Sequence, residues 1–106
     1  MTQHDFTDLY SKYPDVIKAM SGDSFTSHQF ILCLARAHQK EYVEALYAYR
    51  NSMHESKPAP FKVVHARLAQ QLREYPSLIK YVGTEAHSED IFGQSNGCAR
   101  WVKVKV

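Results

Sequence analysis

Apolar residues recur at steps of three and four from Phe6 to Met20, through Leu9, Tyr10, Tyr13, Val16 and Ile17. That spacing is one stripe along a helix. Pro14 interrupts it, because its ring removes an N–H and crowds the preceding turn. The segment therefore predicts either two short helices, the second with Pro14 at its first position, or one kinked helix. Gly22 is a stop signal. The next segment opens on Thr26-Ser27-His28-Gln29, a hydroxyl cap with Gln three residues on, which matches a capping box. Ile31, Leu34, Ala35, His38, Tyr42, Ala45, Leu46 and Tyr49 follow as one stripe. The pattern predicts one long helix from Thr26 to about Arg50, central and buried on more than one side at its apolar start. Residues 51–60 hold Asn, Ser, Lys and two prolines and read as a loop. A third helix starts near Phe61, with Val64, His65, Leu68 and Leu72 on its stripe.

Tyr75 to Gly83 fits two readings. As a strand it is a short β-rich run. As a helix it has Pro76 at the first position, a stripe at 75, 78, 79 and 82, and Gly83 just past the end. The Pro-first, Gly-last asymmetry favours a short helix over 76–82. In the tail, Asn96-Gly97 is the preferred pair for a tight hairpin turn. Behind it Val102, Val104 and Val106 alternate with Trp101, Lys103 and Lys105. The partner strand is expected within 85–95, an unstructured loop being the competing reading.

These elements predict an α+β fold, a helical bundle of three to four helices with a C-terminal β-hairpin. The whole chain, 1–106, is expected to be a single domain. It divides into an N-terminal helical segment (1–22), a helical core (26–82) and the hairpin (84–106). The expected core is Phe30, Ile31, Leu34, Tyr42, Leu46, Phe61, Val64, Leu68, Leu72, Leu78, Ile79 and Val82, with one face of the hairpin.

A helix pair at a tight turn followed by a hairpin resembles a winged helix-turn-helix domain. In that resemblance 61–73 is the first helix of the pair, 76–82 the recognition helix, and 85–95 with 98–106 the wing. The likeness is one of architecture and spans about residues 26–106.

Composition narrows the function classes. The chain carries 13 Lys and Arg against 11 Asp and Glu, a net charge of +2. The charge is unevenly placed: residues 1–56 hold five basic and seven acidic side chains, and residues 57–106 eight basic and four acidic. A basic half around a helix pair is what phosphate binding requires, since each neutralised phosphate releases counterions. The expected nucleic-acid-binding residues are Lys62, Arg67, Arg73 and Lys80, with Arg100, Trp101, Lys103 and Lys105 on the wing. Trp101 among lysines suits a nucleic-acid surface. The plain alternative is a solvated strand edge that resists aggregation, with Trp101 packed on the helices. A second function class follows from the seven tyrosines: a protein-interaction module of the same shape, or a homodimer built on the long helix.

Other chemistries have little support. There is no apolar run near the roughly 18–20 residues of a membrane span. The first residues lack the basic and apolar regions of a secretory signal, so a cytoplasmic protein is expected. Cys33 and Cys98 are then free thiols. The six histidines contain no HExxH and no i, i+4 pair, so no metal or other cofactor is expected. His38 and His65 both fall on helix stripes and could meet across an interface. The ordinary reading of each is a core histidine bonded to a tyrosine or a carbonyl. Ser88, Ser95 and Cys98 lie near His87, but no nucleophile elbow or phosphate loop is present. His87 to Asp90 is expected as a turn, or as the tip or edge of the hairpin. The chain is expected not to be an enzyme.

Overall fold

The computed structural model describes residues 5–50, 59–89, 93 and 95–104. Its elements are α1 (Thr7–Tyr10), α2 (Tyr13–Ala19), β1 (Ser24–Thr26), α3 (Ser27–Ala37), α4 (Gln39–Ala48), α5 (Ala59–Gln71), a 3-10 turn (Leu72–Glu74), β2 (Ile79–Glu89) and β3 (Ser95–Lys103). The fold is α+β: a helical bundle on a three-stranded antiparallel sheet in the order β1-β3-β2. Of the expected loop 51–60, residues 51–58 lie outside the described residues and 59–60 already belong to α5; Asp90, Lys105 and Val106 also lie outside them.

The N-terminal stripe resolves into two short helices. Pro14 sits in the first turn of α2, at its second rather than its first position, where its missing N–H costs nothing. Met20 leaves the helix in an extended conformation, and Gly22 turns the chain at φ +82° into β1. β1 is three residues long and had no periodic signal of its own. It is a strand because β3 pairs with it, Phe25 opposite Trp101.

Thr26 ends β1 and caps α3. Its hydroxyl accepts from the Gln29 N–H at 3.2 Å, and the Gln29 side chain accepts from the Thr26 N–H at 2.9 Å. The expected capping box is therefore in place. The expected single helix to Arg50 is corrected: the chain breaks at His38 (φ −131°, ψ 59°). The stripe runs straight through this point in sequence, but the two halves have different partners. α3 faces α2, α5 and the sheet, burying Phe30, Ile31 and Leu34. α4 turns Tyr42 and Ala45 toward α1 and α5. The break loses little hydrogen bonding, because His38 still donates to Leu34 and accepts from Tyr42.

The expected helix over 76–82 is also corrected. Residues 76–78 form one turn, closed by Leu78 and Ile79 donating to the Tyr75 carbonyl, and β2 starts at Ile79. The helix-to-hairpin boundary thus falls at 78/79 rather than after 82. Ile79, Tyr81 and Val82 are β-formers, and a ladder partner decides their state: Ile79 pairs with Lys103 and Tyr81 with Trp101. Gly83 caps no helix. It lies between two register shifts in β2, a place for a bulge. The hairpin turn moves as well. Asn96 and Gly97 lie inside β3, opposite Ser88 and His87, and the strands connect through 90–94, where Gly93 takes φ +79°. Of the two readings of His87 and Ser88, the turn gives way to the hairpin edge: both lie near the end of edge strand β2.

The buried cluster runs from Phe6 to Trp101. Of the expected core, Phe30, Ile31, Leu34, Tyr42, Val64, Leu68, Leu72 and Ile79 are buried. Leu46, Leu78 and Phe61 are half-buried, and Val82 is 55% exposed because it falls on the outer side of an edge strand. The core also takes Phe6, Leu9, Tyr13, Val16 and Ile17 from the first two helices, and Phe25, Ala45, Tyr49 and Trp101. Tyr13 ties these layers together. Its ring packs on Phe30 and Tyr75, and its hydroxyl donates to the Leu68 carbonyl at 2.6 Å.

Candidate functional site

α5 buries Val64 and Leu68 and turns Lys62, Ala66 and Gln70 outward, and the 3-10 turn that follows adds Arg73. Steps of three and four put these four on one face. That face borders a cleft of about 490 Å³ whose opposite wall is the start of α3 (Ser27, His28, Ile31) and whose floor is the hairpin (Gly97, Cys98, Ala99, Trp101). A second cleft, also about 490 Å³, adjoins it around Pro76, Ile79, Lys80 and Val104. Arg73, Tyr81 and Trp101 line both.

Trp101 is 4% exposed and donates its indole N–H to the Ser27 hydroxyl at 3.4 Å. Tyr81 stands edge-on to it, ring centroids 5.4 Å apart at 67°, and is itself 46% exposed. A buried aromatic therefore holds a half-exposed one at the ridge between the clefts.

Deeper in the first cleft, His65 is fixed by α4. The Tyr42 hydroxyl meets its Nε2 at 2.6 Å, with the rings stacked. Burial pushes the Tyr42 hydroxyl up to about 12, so it keeps its proton well above neutral pH. His65 is thus the tyrosine-bonded histidine expected of a helix stripe. The meeting with His38 that the helix stripes would allow does not occur, because His38 sits at the α3–α4 break in a separate pocket with Val16 and Cys33. Among the described residues no three metal-ligating side chains cluster. Cys33 and Cys98 are both free thiols.

One cluster had no counterpart in the sequence reading. The Ser88 hydroxyl lies 2.8 Å from the Thr26 hydroxyl and 3.4 Å from the Cys98 sulfur. Nδ1 of His28 lies 3.1 Å from the Ser88 carbonyl oxygen, which can only accept, so Nδ1 carries the hydrogen. With its lone pair gone, Nδ1 cannot take a proton from the nearby Ser88 hydroxyl. The group braces α3 against the hairpin; it is not a nucleophile–base pair.

The expected binding residues divide. Lys62, Arg73 and Lys80 come together around the two clefts. Arg67 is half-buried with its guanidinium 5.7 Å from the Phe6 ring, toward α1. Arg100 is exposed beside β1, its guanidinium 3.5 Å from the Ser24 hydroxyl. Lys103 donates its ammonium to the Met20 carbonyl at the end of α2. Trp101 and Lys103 do share a strand face, but that face looks onto the helices rather than into solvent. Lys105 lies outside the described residues. Tyr81 entered the sequence reading as one of the seven tyrosines offered for a protein interface, and a helix over 76–82 places it off the apolar stripe.

No family model, no curated protein and no solved structure matches the chain, so the argument for its function rests on the clefts themselves.

Proposed function

We propose that the chain is a non-enzymatic nucleic-acid-binding module whose contact surface is the outward face of α5 with the adjoining hairpin. One observation carries this reading: Lys62, Arg73 and Lys80 converge on two adjoining clefts whose described lining contains no Asp or Glu. A lining that carries cations and no described carboxylate is a place for a polyanion. The element order adds support. A helix, a strand, further helices and a hairpin, with the first strand beside the hairpin, resemble a winged helix-turn-helix arrangement. With 76–82 no longer a helix, α5 is our candidate for the recognition helix of that resemblance. Many functions share an architecture, so the cations remain the argument.

The rival reading, a protein-docking or homodimer surface, looks to Val43 and Tyr47 on the exposed side of α4. It has less behind it. The Arg50 guanidinium lies 3.9 Å from the centre of the Tyr47 ring, and the ring is still 63% exposed. Val43 and Tyr47 alone make a small patch for an interface on α4.

The test is fluorescence anisotropy with labelled mixed-sequence DNA, single-stranded and duplex, at low and moderate salt. Binding is expected at dissociation constants of about 10⁻⁴–10⁻⁶ M, weakening as salt rises. Arg73→Gln is expected to weaken it, and Lys18→Gln, on α2 and lining neither cleft, to leave it unchanged. Absence of binding to either form at low salt overturns the proposal.

A further inference from the structure

Resting on that reading, we propose that the ligand is a single strand, with unpaired bases seated in the two clefts on either side of Tyr81. Three observations separate this from duplex binding. First, the surface between the cations is a pair of clefts rather than a ridge. Each is about 490 Å³, within the several-hundred Å³ range of sites that enclose small ligands. A duplex keeps its bases stacked inside and offers such hollows only phosphates and base edges.

Second, the first cleft sets small side chains, Ala66, Ala69 and Ala99, among polar ones, Ser27, His28 and Gln70. The small side chains leave flat room for the face of a base, and the polar ones can meet the edge of an unpaired base that a duplex would hide.

Third, Tyr81 is an aromatic platform in the right place. It is half-exposed, its orientation is set by the buried Trp101, and it lines both clefts together with Arg73. Lys62 then flanks the first cleft and Lys80 the second. Aromatic rings interleaved with cations bind single strands with little regard to sequence, because every base has a face to stack and every nucleotide a phosphate. The bases stack, the cations neutralise phosphates, and no covalent step is involved.

The experiment uses the full chain and one labelled strand of mixed sequence, alone and annealed to its complement, at one salt concentration. The single strand is expected to bind at least tenfold more tightly than the duplex. Its binding should also change the emission of Trp101, the only tryptophan in the chain. Tyr81→Ala is expected to weaken single-strand binding about tenfold, in line with the loss of one stacked base, and Tyr81→Phe to restore it. Ala66→Leu, a helix-compatible change that narrows the first cleft, is expected to weaken the single strand and spare the duplex. It gives an independent answer if Tyr81→Ala fails to fold. Equal or tighter duplex binding overturns this inference and leaves the proposed function standing. Single-strand preference unmoved by both Tyr81→Ala and Ala66→Leu overturns the assignment to these clefts. Binding of neither form overturns both.

Discussion

Three buried tyrosines show how much a single hydroxyl decides. The Tyr13 hydroxyl is spent on the Leu68 carbonyl at 2.6 Å and the Tyr42 hydroxyl on His65 at 2.6 Å, while the Tyr49 hydroxyl has no partner among the described residues. A buried hydrogen bond contributes about 1 kcal/mol, and an unpaired buried hydroxyl costs a comparable amount. Tyr13→Phe should therefore lower the unfolding free energy by about 1–2 kcal/mol. Tyr49→Phe should leave it unchanged or raise it by up to about 1 kcal/mol. Urea midpoints of the two variants, moving in different directions, check both. Alkaline stability follows from the same burial. Tyr42 is pushed up to about 12, chiefly by burial, whereas an unfolded tyrosine titrates near about 10. Tyr13 is shifted further in the same direction. From pH 10 to 12 the unfolded chain holds fewer protons than the folded one, so stability, whole below pH 10, falls as pH rises. Melting temperatures followed by circular dichroism from pH 9 to 11.5 should decline, and Tyr42→Phe should make the decline shallower.

Between elements, Thr26 is the joint on which α3 meets the sheet. It is the last residue of β1, the cap of α3 and the hydroxyl partner of Ser88 on β2. Thr26→Ala should cost about 1–2 kcal/mol, the usual range for a lost cap. Thr26→Ser keeps the oxygen and should recover most of it, as read by thermal or urea unfolding. The cap was legible in the sequence because everything that makes it lies within four residues: a hydroxyl, a Gln three positions on, and an apolar run; the strand pairing and the Ser88 contact, both distant in sequence, were not. The break near Pro14 was legible for the same reason. What was misread depends on partners far along the chain. Asn96-Gly97 has the composition of a tight turn, yet Ser88 and His87 hold it in a ladder while Gly93 bends the chain. The residues from Ile79 to Val82 suit a helix or a strand, and pairing with β3 chose the strand. The bend at His38 left no mark because the apolar period continues across it. The site followed the same rule. Its cations were visible as charges, but their division was not. Whether Trp101 and Lys103 face water or helices depends on which side of β3 the helices cover, and alternation says only that the two go together.

The charge of the whole molecule sets how strongly any polyanion can be held. Net charge is only +2, and of the six described cations in the basic half three line the clefts, which limits the phosphates that these can neutralise at once. The salt dependence then has a ceiling. At about 0.7 per phosphate on a single strand, the plot of log affinity against log salt should slope no more steeply than about −2. Lys62→Gln and Arg73→Gln should each make it shallower by about 0.7. Arg100→Gln should leave it alone, since Arg100 stands beside Ser24 on β1. Lys103 offers the sharpest contrast. Its ammonium is committed to the Met20 carbonyl, joining the end of α2 to β3. Lys103→Ala should lower the melting temperature without changing the slope. Anisotropy titrations at four salt concentrations, with a melt for each variant, separate the two effects. A slope near −5, or one that Lys103→Ala reduces, would mean that the whole basic half engages the ligand and that the three-cation surface is too small.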